Sequence, residues 1–98
     1  MKSIILGLAI IFSCATAIAA TEARSMRSPS GAIVELGDSN QTVLRAFERE
    51  RPISVNRYFL KEGRVYGSAI DYTYEINNSI YTITVLNNNV YRIVWERR

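Results

Sequence analysis

Few residues in this chain are able to do chemistry. Histidine is absent and Cys14 is the single cysteine, which excludes the usual zinc and copper ligand sets and any Ser-His or Cys-His nucleophile. Carboxylate or lysine chemistry remains. Glu75 and Glu96 flank Ile80 in the strand pattern derived below and are the pair that acid-base catalysis would use. No pocket is foreseen around them, and an exposed sheet face argues against catalysis there. Asp71, Thr84 and Arg92 fall in one row of that face, where the arginine can reach across Thr84 to the carboxylate; a solvent-facing ion pair of this kind contributes under ~1 kcal/mol. The alternating charges from Arg45 to Arg51 read as a solvated helix face. Asn40-Gln41-Thr42 and Asn77-Asn78-Ser79 are glycosylation sequons, relevant only in a eukaryotic secretory pathway. The residues point to no enzyme and no cofactor.

The elements that must carry these residues follow from a change of period. Gly37-Asp38-Ser39 supplies a turn glycine and two helix-capping residues, with Val43, Leu44 and Phe47 at helical spacing behind them. A helix is predicted from about Ser39 to Glu50, stopped before Pro52. Ile33 to Leu36 reads as a short strand, and the polar, aperiodic residues 21–31 as a flexible arm.

From Ile53 onward the period is two, and correct hairpins should set apolar residues opposite apolar residues. An Asn77-Asn78 turn pairs Tyr74 with Tyr81, Tyr72 with Ile83 and Ile70 with Val85, and asparagine tolerates the positive φ such turns demand. A three-residue loop, Asn87 to Asn89, pairs Val85 with Tyr91, Ile83 with Ile93 and Tyr81 with Trp95; a two-residue loop would oppose Val85 or Ile83 with Arg92. A Glu62-Gly63 turn matches Phe59 with Tyr66, Val55 with Ile70 and Ile53 with Tyr72, at the cost of an inward Arg57 and a bulge near Gly67. The predicted fold class is α+β: one N-terminal helix packed on a four-stranded antiparallel β meander. Its core rows are Ile53/Tyr72/Ile83/Ile93, Val55/Ile70/Val85/Tyr91 and Tyr74/Tyr81/Trp95, under Val43, Leu44 and Phe47.

The opposite face carries Ile80, Leu86, Val90 and Val94 beside Arg92. It is less polar than a solvated sheet needs, so either the arm covers it or it binds a partner. The edges of an open meander offer a second route, strand addition.

Residues 1–20 read as a secretory signal peptide: Lys2, an apolar run from Ile4 to Phe12, then Ala17-Ile18-Ala19, with cleavage at Ala19 or Ala20. That run falls short of the ~20 residues a membrane span requires. The competing reading lipidates Cys14 in Ile11-Phe12-Ser13-Cys14, and membrane attachment is expected only in that case. Cleavage leaves roughly 78 residues, one domain over 32–98 after its arm, at a size where stability is marginal and no disulfide is available. Twelve Lys and Arg against nine Asp and Glu give +3, and about +2 without Lys2, which is too weak to argue for nucleic acid.

Gly37-Asp38-Ser39 with Val43, then Tyr81-Thr82-Ile83-Thr84-Val85, the Asn turn, Val90 and Ile93, resembles the small bacterial envelope family called domain of unknown function 2845. A looser similarity extends to the SmpA/OmlA lipoproteins, including BamE. The resemblance spans Ala32 to Trp95 and implies a helix on a small antiparallel sheet in a bacterial envelope setting, with no assigned activity. The family tends to carry a cysteine before the first strand and another at the helix end. Here those regions read Ser28-Pro29 and Phe47-Glu48-Arg49, so the disulfide the family implies is absent. The function expected is a small exported, non-enzymatic protein-interaction module of the bacterial envelope, in the periplasm or secreted. The alternative is an inhibitor that inserts Glu62-Gly63 or Asn87 to Asn89 into a periplasmic or extracellular hydrolase.

Overall fold

The computed structural model describes residues 20–98; Cys14 and, apart from Ala20, the signal peptide expected over residues 1–20 lie outside them. The chain order is β1 (Thr21–Ala23), β2 (Ser25–Arg27), β3 (Ile33–Glu35), α1 (Asn40–Ala46), β4 (Ser54–Glu62), β5 (Val65–Ile76), β6 (Ser79–Leu86) and β7 (Asn89–Arg97). The predicted helix on a four-stranded meander is corrected: the described residues are mostly β, with seven strands in two antiparallel sheets and one short helix. The large sheet has the order β1-β7-β6-β5-β4, and β2 pairs with β3. The residues assigned to a flexible arm thus form strands, since Thr21 to Ala23 pair with Trp95 to Ile93 and Met26 sits opposite Val34.

The helix has seven residues, Asn40–Ala46, and stops four short of the expected Glu50. Ser39 caps its start by accepting from the Thr42 amide at 3.3 Å. It ends at Ala46, whose carbonyl accepts from Ser30 Oγ. Phe47 leaves helical geometry at φ −114°, ψ 23° and inserts its ring parallel to Tyr74, centroids 4.1 Å apart. The charged run after Phe47 is therefore turn, not helix.

The Asn77-Asn78 hairpin forms in the predicted register, with φ of 48° and 65° at the turn. The next hairpin also uses two asparagines, Asn87 and Asn88 at φ 49° and 76°, and sets Leu86 opposite Asn89 and Val85 opposite Val90. The extra residue sits in a bulge beside Thr84 and Val85 instead of in the loop, which restores Ile83 to Ile93 and Tyr81 to Trp95. Tyr91 consequently leaves the core row and Val90, 3% exposed, enters it. The first hairpin turns at Gly63-Arg64, with Gly63 at φ 61° as a type II′ turn requires. Val55 therefore faces Tyr72, Arg57 faces Ile70 and Phe59 faces Ser68. No bulge interrupts it at Gly67; that glycine instead gives room to the Asn87 side chain, which a Cβ would overlap. Asn87 accepts from the Ser68 amide and donates to the Tyr66 carbonyl.

The core lies on one face of the large sheet, under α1 and the β2–β3 hairpin: Met26, Val34, Val43, Ala46 and Phe47 meet Tyr72, Tyr74, Ile83, Val85, Val90 and Ile93. Aromatic and aliphatic burial at roughly 25 cal/mol per Å² supplies the main driving force.

Candidate functional site

Both edges of the large sheet need an account of their hydrogen-bonding groups, and they differ. On β7, β1 covers residues 93 to 95. The segment before α1 covers the other end: the Gly37 amide donates to the Val90 carbonyl at 2.8 Å, the Val90 amide to Asp38 at 2.7 Å, and the Asn40 amide to Asn88 at 2.9 Å. On β4, among the described residues, nothing but β5 is paired, and seven of its nine residues are exposed. An edge strand of this length is a template for another strand.

The helix-side face of β4 carries Val55, Arg57, Phe59 and Lys61, because alternate residues share a face. No layer of the described residues covers them: α1 and β2–β3 sit over β5 to β7. Phe59 is 65% exposed and Tyr66, beside it on β5, is 63% exposed, their centroids 6.4 Å apart. β5 and β4 run past the end of β6, which stops opposite Ala69, so these rings stand on a projecting hairpin.

The opposite, open face is more self-contained than its sequence suggested. Asp71, Thr84 and Arg92 do share a row, but Asp71 accepts from Thr84 Oγ1 at 2.7 Å and Tyr58 OH at 3.0 Å. Arg92 instead reaches Glu62 at 2.6 Å, as does Tyr91 OH at 3.1 Å. A β4 residue meeting β7 means that the hairpin tip curls across this face, and Leu60, Ala69 and Thr84 are buried there without a second layer. Burial opposes the Arg92 charge, yet the Glu62 carboxylate and Tyr91 outweigh it and raise its pKa. Of the residues assigned to a partner-binding face, Ile80, Leu86 and Val94 are half-buried on the open face and Arg92 is held by Glu62. Val90 belongs to the other side, because the bulge turns it into the core.

Glu75, Ile80 and Glu96 also share a row. The two carboxylates stand on strands separated by β6, roughly 9.5 Å apart at the backbone, and Glu75 is paired with Arg98. Neither lines the open cleft of about 380 Å³ formed by Ser30, Arg45, Ala46, Glu48, Arg49 and Glu50. The exposed Phe59 and Tyr66 went unrecognised in the sequence because the pairing test assigned both to the covered core face.

Burial, and then the Asp71 carboxylate, push the Tyr58 pKa up; burial, then Tyr72 and Glu50, do the same for Tyr74. The folded chain holds these protons more tightly than the unfolded chain. Their contribution is therefore complete below the unfolded value of about 10 and is lost as pH rises through the higher folded values. Urea unfolding at stepped pH should show stability declining above about pH 10, with a shallower decline in Tyr58→Phe and Tyr74→Phe. An unchanged slope in both variants would remove the assignment.

No protein-family model, no curated protein and no solved structure matches this chain.

Proposed function

We propose that this chain is an exported, non-enzymatic interaction module that captures an extended protein segment along β4. The observation that carries this reading is the free nine-residue edge with Val55, Phe59 and the neighbouring Tyr66 exposed beside it, while the β7 edge is closed by the chain itself. Main-chain pairing gives such a site affinity, and alternate side chains give it selectivity. The absence of histidine from the sequence agrees with a binding role.

Photocrosslinking in cells from position 59, with position 80 as the reference for the open face, identifies the partner and the surface it uses. Phe59→Ser with Tyr66→Ser is expected to weaken the identified complex by about 2 kcal/mol, roughly thirtyfold in Kd. As the two rings are exposed, stability should change by only about 0.5 kcal/mol. Crosslinks from position 80 alone would move the site to the open face. Binding lost in Arg64→Ala but kept in the Phe59/Tyr66 variant would favour insertion of the projecting turn into a hydrolase.

A further inference from the structure

We infer that the segment taken up by β4 is acidic, with carboxylates four residues apart on one face of an extended strand and an apolar residue midway between them; this rests on the edge-strand reading above. The helix-side row of β4 runs Val55, Arg57, Phe59, Lys61, and Arg64 follows at the turn. Among the described residues, none of these three cations has a carboxylate within ion-pair distance. The one acid of β4, Glu62, points to the other face and is occupied by Arg92 and Tyr91, and Asp71 and Glu75 of β5 also lie on that other face. The row is thus basic and unneutralised, with apolar side chains between the charges.

Same-face residues of a strand recur about every 7 Å, and directly opposed side chains on a neighbouring strand lie about 5 Å apart. The complement of this row is therefore acidic, apolar, acidic, apolar at every second residue. In an antiparallel partner these face Lys61, Phe59, Arg57 and Val55 in turn.

Two other occupants fit less well. An anionic lipid surface takes contiguous apolar side chains ringed by cations, whereas here Arg57 separates Val55 from Phe59. A second copy joined β4 to β4 sets Arg57 against Arg57, or against Lys61, in two of the three registers centred on Arg57, Tyr58 or Phe59, and like charges directly opposed are unfavourable. Lysine on an edge also discourages pairing, but a protected edge does not place two aromatic rings, 65% and 63% exposed, beside its charges.

Selecting a displayed library of random ten-residue peptides on the full chain tests the inference. Enriched peptides should carry Asp or Glu four residues apart with an apolar residue midway, and should lose about tenfold in affinity for Arg57→Glu/Lys61→Glu. That variant should itself enrich Lys and Arg at the same spacing. Peptides that require Phe59 but show no acidic preference would overturn this inference and leave the edge-strand reading standing. Enrichment that ignores Phe59→Ser would overturn both. Phosphatidylglycerol vesicles that bind the chain through Phe59, or a dimer in sedimentation that Phe59→Ser dissolves, would each overturn the acidic strand in favour of lipid or of a second copy.

Discussion

Phe47→Ala is expected to destabilise the chain by about 3–5 kcal/mol, enough to leave much of a domain this small unfolded. The side chain is 2% exposed and stacks on Tyr74 at 4.1 Å with an interplanar angle of 13°. It also marks where the helix stops, so its loss removes both the apolar contact and the anchor of a seven-residue helix too short to persist alone. Phe47→Leu keeps most of the volume and should cost about 1 kcal/mol. Urea unfolding followed by circular dichroism separates the two variants. A cost below about 1 kcal/mol for the alanine would show that α1 is not docked through this residue.

Ile83→Ala is expected to cost about 2–5 kcal/mol, and Ile80→Ala about 1 kcal/mol or less. The two isoleucines lie on one strand, but Ile83 is fully buried under α1 and the β2–β3 hairpin, whereas Ile80 is half-buried on the open face. The same unfolding measurements apply, and equal losses would mean that the open face is covered in solution.

Much of the β5–β6–β7 core was legible in the sequence because its signals are local. Asn77-Asn78 supplies the turn and period-two apolar residues supply the faces, and the structure keeps that register. At Gly63 the same test misleads, for a turn displaced by one residue moves every partner by two. Each side chain stays on its face, so Val55 opposite Ile70 scores as well as Val55 opposite Tyr72. At Asn87 an extra residue was visible, but apolar matching cannot tell a longer loop from a bulge. β1 and β2 were not legible at all. Three residues such as Thr21-Glu22-Ala23 have no strand preference of their own and extend only because the β7 edge is there to pair with. The candidate site was missed for a related reason: Phe59 was assigned beneath a layer that reaches only β5 to β7.

The closure of the β7 edge also constrains when the chain can fold. β7 and the turn before it must be present before Thr21 to Ala23 join the large sheet, or Gly37, Asp38 and Asn40 make their bonds to Val90 and Asn88, and Val43 and Phe47 need Tyr74, Ile83 and Ile93 to cover them. These closures span some fifty to seventy residues of sequence, and such long-range pairing forms slowly. The segments from Thr21 to Ala23 and from Gly37 to Phe47 therefore complete their packing only once β7 is in place.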